Sequence, residues 1–281
     1  MGYFVHQFGL QSGTSSSFKV SMEEPLANQA FFNSRLIGAM YVHAGEKIHA
    51  TASVFAENDA MKMSTDKLGN EAWGAMTRLV WRPATERGKI FHIGISGAYE
   101  SPRYNKNAAL SHKSYTLKAP FPTRIANVAA QEATITDATA LWKFSPEMNF
   151  AVGNFGFEAQ YFYVGIKRDN AMPNYSAWGA YSNLRCLLKG QGYTYTMADA
   201  GIATPDPGSL ELVAAYNYST LTDKDTNIFG GKVNDWSLTF NYYLNKYMIW
   251  RVRGSITRAT DNAAFNNNTF SILETRLQIK F

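Results

Sequence analysis

The sequence predicts an all-β fold, an antiparallel transmembrane β-barrel, and three observations carry that prediction. The last eight residues alternate strictly, with Thr275, Leu277, Ile279 and Phe281 on one face and Glu274, Arg276, Gln278 and Lys280 on the other. About fourteen segments with this period of two follow one another, and no segment has convincing helical periodicity. Charged residues make up only 17% of the chain and aromatic residues 14%, whereas a soluble domain is about a quarter charged. Tyr and Trp at this level suit the two interfacial girdles of a membrane barrel.

The opening strand is expected over Gly2 to Leu10. Gln11 to Asn33 follows as a loop far longer than a hairpin connection, which marks it as functional or disordered. Strands Arg35 to His43 and Lys47 to Ala56 are joined by Ala44-Gly45-Glu46, and in the second Ile48, Ala50, Ala52 and Val54 oppose His49, Thr51 and Ser53. After the polar loop Asn58 to Asn70, the strand Glu71 to Pro83 sets Trp73 and Trp81 on one face and Arg78 and Arg82 on the other. Lys89 to Glu100 then places Phe91, Ile93, Ile95 and Tyr99 outward. The loop Ser101 to His112 leads to a strand over Lys113 to Ala119, and Pro120 and Pro122 break it from another over Thr123 to Ala129.

Ala138 to Val152 reads as one long strand interrupted by Pro146, for which the local sequence offers no account. Gly153-Asn154 is a two-residue turn, and Phe155 to Ile166 returns from it. The remaining strands are Ala177 to Lys189, Ser209 to Tyr218, Asp235 to Leu244, Tyr247 to Arg258 and Phe270 to Phe281. Short turns alternate with longer loops, as they do between the periplasmic and exterior ends of a barrel. The loops expected are Lys167 to Ser176, Leu221 to Asn234 and Asn262 to Asn268. Gly190 to Gly208 breaks the pattern, being long on the short-turn side.

Several classes drop out. No run of about 18 apolar residues exists, which excludes a helical membrane protein. Cys186 is the single cysteine, so neither an intrachain disulfide nor a thiol metal site can form. A net charge of +5 is too diffuse to argue nucleic acid. Met1 to His6 lacks the basic start and apolar core of an export signal, so the expectation is a chain beginning inside a longer protein. A soluble sandwich is disfavoured because fourteen or so two-faced strands close more naturally into a barrel.

Four stretches resemble one family. Asn149 to Tyr161, Gly208 to Tyr218, Gly230 to Asn234 with the turn Phe240 to Asn245, and the closing Leu277 to Phe281 are similar to the phosphate-selective porins O and P. The resemblance covers most of the chain and is strongest from residue 149 onward. It implies a homotrimeric barrel of about 16 strands in a bacterial outer membrane, with an inward loop narrowing the pore and basic side chains guiding anions such as phosphate. This chain, residues 1–281 as one barrel domain, would then lack the family's first two or so strands. Phe8-Gly9 resembles the pair that precedes the inward loop, which makes residues 11–33 the candidate constriction. In that loop Lys19 is the sole cation, beside Glu23, Glu24 and Pro25, where the family tends to carry an arginine.

Basic side chains on a lumen face lower the barrier to an anion in a narrow channel. Parity nominates Arg78, Arg82, Arg185, Arg251, Arg253 and Arg276, with Arg35 at the foot of the loop. Ser15, Ser16 and Ser17 could donate hydroxyls to an anion there. The plainer reading is that these arginines pair with lumen carboxylates such as Glu158, Glu211 and Glu274, and that His49 and His92 are polar lining. No nucleophile-and-base arrangement, phosphate-cradling loop or ligand cluster stands out, so neither an enzyme nor a bound metal or cofactor is expected. The expected function is passive diffusion of small hydrophilic solutes with an anion or phosphate preference. The alternative is a plugged barrel acting as adhesin or assembly partner, and membrane lipid is the surroundings in either case.

Overall fold

Period-two alternation fixes two surfaces for each strand, and in the computed structural model those surfaces are the two faces of one long antiparallel sheet. The structure describes residues 1–14, 19–32, 35–56, 73–102, 113–123, 128–261 and 267–280. Ser15, Ser16, Ser17, the loop Asn58 to Asn70 and Phe281 lie outside them, as do residues 103–112, 124–127 and 262–266.

The chain opens with β1 (Gly2–Phe4), two short helices α1 (Leu10–Gly13) and α2 (Leu26–Phe31), then β2 (Leu36–Ala44) and β3 (Ile48–Ala56). Next come β4 (Trp73–Glu86), β5 (Lys89–Ser101), β6 (Tyr115–Pro120), β7 (Ala129–Ile135), β8 (Ala138–Val152) and β9 (Phe155–Arg168). β10 (Tyr175–Lys189), β11 (Tyr195–Thr196) and β12 (Gly201–Ile202) precede β13 (Leu210–Asp223), β14 (Ile228–Asn245), β15 (Met248–Thr260) and β16 (Asn268–Ile279). Twelve of these strands form the wall, in the order β1-β2-β3-β4-β5-β8-β9-β10-β13-β14-β15-β16.

The faces sort as alternation requires. Trp73, Trp81, Trp236 and Trp250 stand outward, 42–62% exposed, whereas Arg78, Arg82, His49 and His92 on the opposite face are at most 1% exposed. An apolar outer face with a polar inner one is the inverse of a soluble core and suits a wall immersed in lipid.

Pro146 is accommodated inside this wall. β8 and β9 pair from Phe144↔Tyr163 and again from Glu147↔Gln160, leaving a gap at the proline. The Ser145 hydroxyl fills it, donating to the Tyr161 carbonyl at 2.6 Å that the missing proline N–H cannot serve.

Five expectations are corrected. β6 and β7 do not join the wall; they form a separate hairpin, and β5 pairs directly with β8. The hairpin lies on the inner face, where Leu117, Ala133 and Ile135 pack with Leu221 and Val233, and Gln131 donates to the Ser219 and Gly231 carbonyls, both at 3.0 Å. Alternation reports one buried face and not what buries it. The second of these strands is also displaced, spanning Ala129–Ile135 where Thr123 to Ala129 was expected. The loop Leu221 to Asn234 contracts to the turn 224–227, since the hydrogen-bonded ladder of β13 and β14 continues to Asp223↔Ile228 and Asn227 takes the left-handed conformation (φ 56°). The loop Lys167 to Ser176 contracts likewise to residues 169–174, turning through Asn170 and Ala171 at φ 58° and 56°. Finally, the opening strand stops at Phe4 instead of Leu10, because Phe8 is fully buried inward and the Gly9 N–H binds the Ser96 hydroxyl at 3.0 Å.

The wall has two free edges among the described residues. β1 covers only Leu36, Ile37 and Gly38 of β2, and Tyr41 to Ala44 beyond it are exposed in succession. β16 pairs with β15 alone, and its Leu273 is 82% exposed.

Candidate pore-lining site

Three inward elements share the space beside the inner face: residues 5–14 with 19–32, the β6–β7 hairpin, and the connection 190–208. The first is anchored by apolar packing, with Phe8, Leu26, Ala27 and Phe31 buried against Phe162 and Tyr181. Polar contacts then fix its course. The Leu10 N–H donates to Gln160 Oε1 at 3.2 Å, the Gln11 amide to Glu158 Oε1 at 3.0 Å and to the Tyr181 hydroxyl at 3.2 Å, and the Ala27 N–H to Asn217 Oδ1 at 3.1 Å.

The six arginines nominated by parity lie on the inner face, and all six are engaged. Arg78 grips Glu147 on β8 (Nη2 to Oε1 2.6 Å, Nε to Oε1 3.0 Å) and donates to the Asp199 and Ala200 carbonyls at 3.1 and 3.0 Å. Glu147 also meets His92 Nε2 at 2.9 Å, and His92 Nδ1 meets the Tyr195 hydroxyl at 2.8 Å. Arg82 donates to the carbonyls of Met197 and Gly45, at 2.8 and 2.5 Å. Two buried arginines therefore clamp the backbone of the connection 190–208.

Arg185 donates to Glu211 Oε1 at 2.8 Å and lies over the Tyr193 ring at 4.9 Å. Glu211 is fully buried and accepts as well from the Tyr193 and Tyr243 hydroxyls and the Asn241 amide, at 2.9, 2.6 and 3.0 Å. Arg253 bridges Glu274 and Asp235 at 2.9 and 3.0 Å. Arg251 donates to the Lys19 carbonyl at 2.7 Å, and Arg276 to the Met22 carbonyl at 2.8 Å and Glu23 at 3.0 Å. These last two hold the segment that carries Lys19, whose ammonium reaches the Gln11 carbonyl and, at 3.3 Å, Glu24.

Arg35 differs. It is exposed, has no acid partner among the described residues, and lines a cavity of about 800 Å³ with Gln7, Lys19, Glu24, Asn28 and Asp199. The inner face is thus packed solid along much of the wall and open here. Burial pushes the Tyr195 hydroxyl up to about 12, so it stays protonated as a hydrogen-bonding partner for His92.

Sequence reasoning missed Glu147, Tyr193, Tyr195 and Asp199. The one signal for the last three was the excess length of the 190–208 connection on the short-turn side. Glu147 carried no signal, since its link to Arg78 spans 69 residues and depends on strand register.

An apolar-out, polar-in wall with segments folded against its inner face is a transmembrane β-barrel of the channel-forming class. The sequence model of the family described as phosphate-selective porin O and P matches residues 1–281, and the chain belongs to that family. It is similar to Porin O of Pseudomonas aeruginosa, 23% identical over 295 residues that cover 95% of this chain and 66% of that protein. The chain therefore spans about two thirds of the length of this curated relative.

Proposed function

We propose that the protein is an outer-membrane porin passing small hydrophilic solutes by diffusion, with a preference for anions. The observation that carries this reading is the cavity of about 800 Å³, where the exposed Arg35, with no acid partner among the described residues, stands beside the paired Lys19 and Glu24 and meets a permeating ion. The other inward arginines support the pore differently: each is buried against carboxylates or donates to backbone carbonyls of the inward segments, which it holds in place. Phosphate, named in the family's description, is the first anion to try, and the one exposed arginine at this opening is a modest site for it.

The free edges of β2 and β16 belong to the same reading. Hydrocarbon leaves unpaired backbone groups unsatisfied, so these edges need pairing partners in the membrane. The homotrimer rests on family membership, and cross-linking of the protein in native outer membranes tests it. Planar-bilayer recording on the full-length protein tests the pore. Reversal potentials in a potassium chloride gradient should favour chloride; strong cation preference would sink the anion part, and absence of conductance would favour a plugged barrel.

A further inference from the structure

On the lipid side, β10, β13, β14 and β15 carry a furrow that the pore reading does not use. One row across these strands runs Leu184, Ala214, Leu238, Gly254, each paired with the next. The small residues Ala214 and Gly254 leave the backbone bare between leucines, and Trp236 and Ile256 wall the row above. The resulting groove measures about 670 Å³, and a second of about 370 Å³, sharing Leu184 and Ala214, continues it toward Phe150 and Phe155. A Cβ added at Gly254 would meet nothing within 4 Å, so the floor is open.

Above the groove the same outer face turns polar. Ile256 is followed two residues on by Arg258, whose row continues through Asn234 to Tyr218. Arg258 is exposed and has no acid partner among the described residues, while the neighbouring Lys232 is paired with Asp261 at 2.8 Å. The Tyr216 hydroxyl donates to Asn234 Oδ1 at 2.9 Å, leaving the amide nitrogen free to donate outward. Four residues of strand separate Arg258 from Gly254, roughly 14 Å. That is a cation and an amide at headgroup depth, set over an apolar channel at acyl depth. Arg258 also sits at the end away from the tight Asn245 turn, the end that faces the exterior in such barrels.

We propose that this furrow is a binding site for a phosphorylated lipid of the outer leaflet, with one acyl chain along Ala214 and Gly254 and a phosphate on Arg258. The site rests on the outer-membrane reading but not on conduction, so its test reads lipid retention. Native mass spectrometry on the delipidated full-length protein, titrated with lipid A and with dephosphorylated lipid A, measures it. The phosphorylated form should bind about five-fold more tightly, the contribution of one cation near a membrane surface. Arg258→Glu should erase that ratio, and Gly254→Trp should weaken both lipids, with unfolding temperature and conductance unchanged. Millimolar inorganic phosphate should not displace the lipid; displacement would mean a free-phosphate site instead. The proposal is overturned if Arg258→Glu keeps the ratio, a result that decides the matter even should Gly254→Trp fail to insert. It is overturned too if Gly254→Trp binds lipid normally, or if it turns an oligomer into monomers, which would make the furrow a contact between copies.

Discussion

Arg78 and Glu147 meet through two guanidinium nitrogens on one carboxylate, at 2.6 and 3.0 Å, with no exposed surface on either side chain. Other guanidinium donors go to the carbonyls of Asp199 and Ala200 and to Gln7 Oε1, so one buried pair ties β4, β8 and the connection 190–208 together. Removing one partner of such a pair strands the other's charge and costs about 3–5 kcal/mol. Arg78→Met should lower the unfolding temperature of the detergent-solubilised protein markedly. It should also expose the connection 190–208 to protease in the folded barrel. A variant as stable and as resistant as the parent would show that the wall positions this segment without Arg78.

Arg35 and Arg185 are predicted to separate charge from structure. Arg35 faces the cavity and has no acid partner among the described residues, whereas Arg185 is held by Glu211 at 2.8 Å. Arg35→Glu should shift the reversal potential toward cations with little change in stability, because an exposed charge contributes little to folding. Arg185→Met should do the reverse, destabilising by several kcal/mol while leaving selectivity near the parent's. Equal selectivity in the Arg35 variant would remove that residue from the permeation path.

The contrast between those two arginines also marks what was legible in the sequence. Arg35 was nominated only by its place at the foot of the loop. Period-two alternation placed Arg185 on the inner side, and placed Trp73, Trp81, Trp236 and Trp250 outward, because the pleat allows only two faces. It could not say which arginine is neutralised. Glu211 reaches Arg185 from the neighbouring strand, and Glu147 reaches Arg78 across a register set by every turn between them. The β6–β7 hairpin alternates just as a wall strand does, so its departure into the interior was invisible locally. Pro146 was visible as an anomaly, and only the contact from Ser145 to Tyr161 explains it.

Asp199 is predicted to give conduction a pH dependence. Burial raises its carboxyl above the ordinary carboxylate range, against an opposing pull from Arg78. A raised value means that protonation sets in at higher pH than for a free aspartate. As pH falls through that value, a negative charge disappears from the cavity that Arg35 and Lys19 also line. Chloride-over-potassium preference should therefore grow on acidification from neutral pH and fall again on return. Asp199→Asn should show the higher preference already at neutral pH and lose most of the change. A parent protein whose reversal potential is flat over this range would take Asp199 out of the ion's path.

Phe31 decides whether the inward segment sets the bore. Its ring is 1% exposed, stacks on Phe162 at 5.9 Å between centroids, and presses close over Gly179. The helix α2 that carries it has six residues and no side-chain cap, too short to hold its shape without this packing. Phe31→Ala removes about 3–5 kcal/mol of buried contact from the segment, enough to let it leave the wall. The hydrogen bonds between wall strands are untouched, so the barrel itself should melt near the parental temperature. Single-channel recordings should then show larger and noisier conductance with weaker ion preference, since Lys19 moves away with the segment. If conductance stays at the parental value while the segment becomes open to protease, the narrowest point lies elsewhere, at the connection 190–208 that Arg78 and Arg82 clamp.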